Sequence, residues 1–172
     1  MSTKTNMTPA LATEKIISLL GEVKRDGIEN LIKFMKESTY LTDAECYGHH
    51  KHKYGLMFHS LEVLDVMLRE TGGLLPRVSI ILIALCHDLG KALMNGKKVA
   101  RGFHPYRSVH ILQKCGVQLT DLEKEAISSH HPKTARHYAA YLTNPFFRFL
   151  SLADSRSSRI NQRGEKYSYG ML

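Results

Sequence analysis

Apolar residues along this chain recur at intervals of three and four, and no stretch alternates with the two-residue period of a half-buried strand. The pattern predicts an all-α fold, a single bundle of about seven helices. Leu11, Ile16, Ile17, Leu19 and Leu20 form the first stripe, which follows Thr8-Pro9, an N-cap threonine with proline in the first helical position, and ends at Gly21. Ile28, Leu31, Ile32, Phe34 and Met35 predict a second helix over about 26–38, and these two read as packing helices. A third opens at Gly55 and runs to about 69, before the break at Gly72-Gly73. After Pro76, residues 78–86 are apolar on every side, which predicts a central, buried helix, with Gly90 suited to a left-handed cap that stops it. Further helices are expected from His104-Pro105 to about 114, ended by Gly116, and from the capping box Thr120-Asp121-Leu122-Glu123 to His130-His131, ended by Pro132. A short one over 133–143 and a last one from Asn144-Pro145 complete the set. The polar ends, 1–8 and 161–172, read as a disordered N-terminus and a flexible tail.

Composition narrows the class. A chain of 172 residues is long enough for one domain, here 9–160, with a core that needs no staples. Three cysteines without CxxC spacing suggest neither a disulfide framework nor a thiolate zinc site, and fit a reducing cytoplasm. The most apolar run is too short to span a bilayer and no signal-type segment follows the start, so a cytoplasmic protein with no membrane partner is expected. The net charge of +8 suits a polyanionic partner, although a generically basic surface gives the same balance.

The chemistry lies where polar residues interrupt apolar faces. His59 shares a helix face with Leu56, Val63 and Val66. His87 and Asp88 close the all-apolar helix, where an unpaired carboxylate loses several kcal/mol of hydration and also meets the negative end of the helix dipole. A cation shared with other histidines offsets both effects. Lys91 follows at once, placed for a phosphate oxygen or for ordinary dipole compensation. His130 and His131 end an amphipathic helix, His104 starts another, and Asp154 replaces hydrocarbon on the stripe of Phe147 and Leu150. These residues come from five helices or helix ends, so only a shared interior site collects them. Histidine plus carboxylate is a ligand set for one or two divalent ions of Mn, Fe, Ni, Co or Zn. Lys51, Lys53, Lys97, Arg101, Arg156 and Arg159 are candidates for gathering an anion; for Arg156 and Arg159, pairing with Asp154 or plain solvation serves equally well. His49, His50, His110 and His131 are left as open additions to the set, His49 and His50 lying in the basic tract Gly48-His49-His50-Lys51-His52-Lys53-Tyr54.

The order His59, His87-Asp88, Asp154 resembles that of the HD-domain metal-dependent phosphohydrolases, over roughly residues 47–160. Gly55-Leu56-Met57-Phe58-His59 is similar to the first-histidine helix of that family, and His87-Asp88-Leu89-Gly90-Lys91 to its HDxGK signature. His104-Pro105 resembles the HP step of two-metal members, His130-His131 their HH pair, and Leu152-Ala153-Asp154 the segment bearing the final aspartate. With His49-His50 ahead of His59, the chain is most similar to the HD modules of bacterial 3′-to-5′ exoribonucleases and of some relaxase-associated proteins. Pro132-Lys133-Thr134 stands where cyclic-di-GMP phosphodiesterases carry Gly-Tyr-Pro, so that activity is not implied. The resemblance implies one metal held by His59, His87, Asp88 and Asp154, and a second by Asp88 as bridge with His104 and His130, His131 beside them. It implies Asp88 and Lys91 as the catalytic residues and hydrolysis of a phosphate-containing small molecule, a nucleotide or a short single-stranded nucleic acid by a metal-activated water. Lys91, Arg101, Arg156 and Arg159 would bind that substrate. Two other readings stand beside it: an HD scaffold that binds nucleotide, nucleic acid or a protein partner without turnover, and a helical protein whose histidines take up nickel adventitiously.

Overall fold

The computed structural model describes residues 7–43, 53–92, 103–130 and 135–162, and among these every regular element is helical. Eight α-helices are present among the described residues: α1 (Pro9–Glu22), α2 (Ile28–Glu37), α3 (Gly55–Thr71), α4 (Arg77–Cys86), α5 (His104–Lys114), α6 (Asp121–Ser129), α7 (Ala135–Thr143) and α8 (Pro145–Gln162). The all-α class and the approximate helix number follow the hydrophobic period. The tract holding His49, His50 and Lys51, the segment with Lys97 and Arg101, His131, residues 1–6 and residues 163–172 lie outside the described residues. Among the described residues, no helix is long and apolar enough to cross a membrane.

Local signals set most of the helix starts. The Thr8 hydroxyl accepts from Leu11 N at 3.3 Å ahead of Pro9, so residue 8 belongs to the first helix, and Met7 packs against the core. Thr120 and Glu123 form the predicted capping box, with Thr120 N donating to Glu123 Oε2 at 2.8 Å and Glu123 N to Thr120 Oγ1 at 3.2 Å. Asn144 caps α8 by accepting from Phe147 N at 3.2 Å. The first helix passes through Gly21 to Glu22, and the second begins two residues later than its apolar stripe suggests. The reason is Gly27: its φ of +80° is a left-handed conformation, and a Cβ there would fall 2.5 Å from Cys115 O, because the α1–α2 turn lies directly on the α5–α6 turn. Arg25 locks the same junction, donating to both carboxylate oxygens of fully buried Glu123 at 2.7 Å.

The centre of the bundle is α3, which packs between α4 and α8 and also meets α1. Residues 55–68 of α3 are buried apart from partly exposed Phe58, so the helix has no solvent face along that length. Its polar residues are therefore interior too: His59, Glu62 and Asp65 are buried, Asp65 pairing with Arg69 at 3.3 Å. Residues 79–86 of α4 are buried all round, as their composition predicts, while Val78 is exposed. Two short 3₁₀ turns escape the periodicity analysis, Thr39–Leu41 and Leu89–Lys91.

The second of these turns carries the correction that matters most for the site. Gly90 does not adopt a left-handed cap; it is needed because the turn presses onto the start of α5, where a Cβ would sit 2.1 Å from His104 O. Ser108 stitches this contact, accepting from Gly90 N at 2.8 Å while its hydroxyl lies 2.8 Å from His87 O and 2.9 Å from His104 O. Gly90→Ala is expected to lower stability by about 2 kcal/mol or more, because backbone must shift to admit the methyl group. Urea denaturation checks this, and an unchanged midpoint would show that the turn does not approach α5 so closely.

Candidate metal centre

The hydrophobic helix α4 ends at Cys86, and its last carbonyl groups need partners in a water-poor interior. His87 supplies two of them: its N–H donates to Ile83 O at 2.9 Å and its Nδ1 lies 2.9 Å from Ala84 O. The buried Tyr40 hydroxyl donates to a third, Leu85 O, at 2.6 Å. A carbonyl can only accept, so Nδ1 of His87 carries the hydrogen and, in the neutral ring, Nε2 presents a lone pair. The end of α6 repeats the arrangement, with Nδ1 of His130 2.7 Å from Ile127 O. On α3 the Nδ1 of His59 lies 3.0 Å from Ser157 Oγ, whose hydroxyl donates to Glu62 Oε2 at 2.7 Å. Three imidazoles from three helices thus turn their Nε2 atoms inward.

These nitrogens face one another. His59 Nε2 and His87 Nε2 are 3.3 Å apart, and His104 Nε2 and His130 Nε2 are 3.1 Å apart. Asp88 stands between the pairs and divides its oxygens: Oδ2 is 3.6 Å from His59 Nε2 and 3.4 Å from His87 Nε2, while Oδ1 is 3.1 Å from His104 Nε2 and 3.2 Å from His130 Nε2. Asp154 Oδ1 completes the first group at 3.2 Å from His59 Nε2. Two donor sets result, His59, His87 and Asp154 in one and Asp88, His104 and His130 in the other, the donor atoms within each lying within 4.8 Å of one another. A first-row ion at about 2.0–2.2 Å from each donor spans donor–donor edges of about 2.9–3.6 Å, a range that includes the His59–His87, His59–Asp154, His104–His130, Asp88–His104 and Asp88–His130 separations. The donor chemistry and the convergence of the four ring nitrogens both fit a divalent metal ion.

Charge is distributed accordingly. Burial pushes the His87 imidazole down to about 3, and desolvation also lowers His104, so both rings are held neutral, the form that binds a metal. Burial opposes protonation of His59 too, but hydrogen bonding to Asp154 and the charges of Asp154 and Asp88 outweigh it and raise that ring above its ordinary value. Burial likewise works against ionised Asp88, yet the Lys91 ammonium, 2.6 Å from Oδ2, and the surrounding imidazoles hold the carboxyl well below the usual range. Desolvation acts on Asp154 in the same sense and is overcome by its hydrogen bond with His59.

Of the residues singled out by pattern, His59, His87, Asp88, His104, His130 and Asp154 come together, with Lys91 beside them. His110 is exposed on the outer side of α5. Arg156 points its guanidinium to Glu70 on α3, and Arg159 is exposed. The pattern missed Tyr40, Ser108, Ser157 and Glu62, which orient the ligating groups. A usable signal exists for three of them: Ser108 lies four residues after His104, Ser157 three after Asp154 and Glu62 three after His59, each one helical turn from a donor on the same face.

An all-α bundle whose interior gathers histidines and aspartates into two facing donor sets defines a protein with a buried candidate metal centre. No family model, curated protein or solved structure matches the chain.

The protonation pattern sets the acid stability of the metal-free protein. For His87, with a folded value of about 3 against 6.5, stabilisation is complete above pH 6.5 and is lost progressively as pH falls toward 3. The depressed carboxyls of Asp88 and Asp154 act in the same direction below their ordinary 3.8. His59, shifted upward, contributes fully below 6.5 and loses its contribution as pH rises through its folded value, so it does not offset the acid loss. In the presence of a chelator, the urea midpoint should therefore decline steadily from pH 6.5 downward. A midpoint constant to pH 4.5 would show that His87 is not buried as a neutral ring.

Proposed function

We propose that the chain is a metal-dependent phosphohydrolase of the HD-domain kind, acting on a phosphate ester of a nucleotide or short single-stranded oligonucleotide. The observation that carries this reading is the division of the Asp88 carboxylate between two imidazole sets, Oδ2 toward His59 and His87 and Oδ1 toward His104 and His130. A carboxylate so placed would serve as a bridging ligand, and His59, His87 and Asp154 would hold one ion and His104 and His130 the other. A divalent pair there would activate a water at neutral pH and supply positive charge for the attacking and leaving oxygens of a phosphoryl centre.

The remaining work falls to the chain's own groups. Lys91 keeps its ammonium at the edge of the cluster, with its side chain 17 % exposed, so it faces both Asp88 and an arriving ligand. It neutralises a non-bridging phosphate oxygen as charge builds there. The hydrocarbon of α3 and α4 around the cluster excludes bulk water, which strengthens each of these interactions. Ser108 and Gly90 hold the turn bearing Asp88 and Lys91 against the helix bearing His104, fixing the relation between the two donor sets.

The test is release of p-nitrophenol from bis-p-nitrophenyl phosphate by metal-free protein supplemented with manganese, nickel, cobalt or zinc, followed by nucleotides and short RNA and DNA. Turnover with at least one metal is expected, and Asp88→Ala should reduce it by at least 10³-fold while the far-ultraviolet dichroism stays helical, since the variant removes one shared ligand from both sets. Tight nucleotide binding without turnover under any metal would replace the hydrolase reading with that of a binding module.

A further inference from the structure

Glu62 is a carboxylate buried on the central helix, one turn after His59 and outside both donor sets. It takes the Ser157 hydroxyl hydrogen at 2.7 Å, and Ser157 Oγ lies 3.0 Å from His59 Nδ1. Ser157 is fully buried on α8, one turn beyond Asp154. The direction of this chain follows from its end. A carboxylate accepts, so the hydroxyl hydrogen goes to Glu62, and the hydroxyl oxygen is left to accept from the imidazole.

We propose that Glu62 and Ser157 form a carboxylate–hydroxyl–imidazole relay whose role is to hold His59 with its hydrogen on Nδ1 and its Nε2 directed at the first donor set, His59, His87 and Asp154. The two residues are positioning residues for that half of the site. His87 and His130 get the same orientation from main-chain carbonyls of their own helix ends. His59 lies inside α3, away from its C-terminal end, where helix carbonyls accept from the main chain four residues on, so the acceptor for its Nδ1 comes from a side chain. Glu62 alone would be a direct acceptor, but it reaches His59 through Ser157, which ties α3 to α8 and so fixes the His59 ring relative to Asp154, its 3.2 Å neighbour on α8. Outer partners of this kind orient a ligating imidazole and strengthen it as a donor, and their loss weakens metal affinity by about 10–100-fold. The relay acts on the first donor set, because the ring it holds faces His87 Nε2 at 3.3 Å and Asp154 Oδ1 at 3.2 Å.

This inference rests on the metal-binding part of the functional reading and not on phosphohydrolase activity. The test is calorimetric titration of the chelator-treated full chain with zinc. Wild type should show two binding events, and Ser157→Ala should weaken one of them at least tenfold and leave the other within about twofold. Glu62→Ala should weaken the same event, and the double variant should be no weaker than Ser157→Ala, because residues of one chain do not add. Ser157→Thr and Ser157→Val match in shape and differ by the hydroxyl, so Thr should bind more tightly than Val even if Ala perturbs the fold. Equal binding by Thr and Val, parallel loss of both events, or additive effects of Glu62 and Ser157 would overturn the relay. A wild type that takes up no zinc overturns the metal-binding reading and the relay with it, whereas zinc uptake without phosphoester turnover leaves the relay standing and removes only the hydrolase.

Discussion

Imidazole nitrogens that confront each other inside a buried core are the constraint on which the rest of this structure turns. His59 and His87 bring their Nε2 atoms to 3.3 Å, and His104 and His130 bring theirs to 3.1 Å. For His59 and His87 as neutral rings with their hydrogens on Nδ1, such an approach is repulsive, and both rings are fully buried. Reversing the tautomer of His87 or His130 would relieve the contact but would strand Nδ1 against a carbonyl, leaving a buried acceptor without its hydrogen at about 1–3 kcal/mol. A proton or a metal ion between His59 and His87 removes that repulsion. The raised value of His59 and the tight Lys91–Asp88 pair are the protein's own partial answers to that demand.

Helix geometry adds a field of the same sign. α4 and α6 end at His87 and His130, so the carbonyl ends of both helices, carrying the negative pole of their dipoles, converge on the cluster. That polarity penalises Asp88 and rewards a cation, and it explains why an acid at this position needs so many partners. Asp88 obtains them by position: His87 continues the helical backbone as the C-cap of α4, whereas Asp88, at φ −103° and ψ 8°, leaves it. Two consecutive residues therefore diverge, the imidazole toward α3 and the carboxylate toward the gap between the donor sets.

Much of this was legible before any coordinates. The period of three and four identifies the helices, Thr8, Thr120 and Asn144 identify starts, and the polar interruptions at His59, His87, Asp88, His130 and Asp154 identify the interior cluster. What escaped has a common cause, namely that it depends on contacts between segments distant in sequence. Gly90 reads locally as a helix stop, and only the approach of α5 shows that it is a spacing requirement. Gly27 is likewise explained by the turn at Cys115. For Arg156 the sequence leaves Asp154, a phosphate and solvent as equal partners, and it is the position of α3 that brings Glu70 to its guanidinium. The burial of Glu62 and Asp65 also depends on distant segments, because a helix packed between α4 and α8, with α1 also against it, keeps no solvated side along most of its length.

The burial of α3 on all sides also explains how the site tolerates so much charge in a hydrocarbon interior. Polar groups there are not isolated: Glu62 is bound through Ser157 to His59, His59 to Asp154, and Asp88 to Lys91, His104 and His130. A buried network of this kind is stable only when its members are jointly satisfied, since each unpaired member carries its full desolvation penalty. Joint satisfaction makes the cluster cooperative in structure as well as in chemistry. Helices α3, α4, α5, α6 and α8 each contribute a donor, so the same side chains that would hold an ion also fix how those five helices meet.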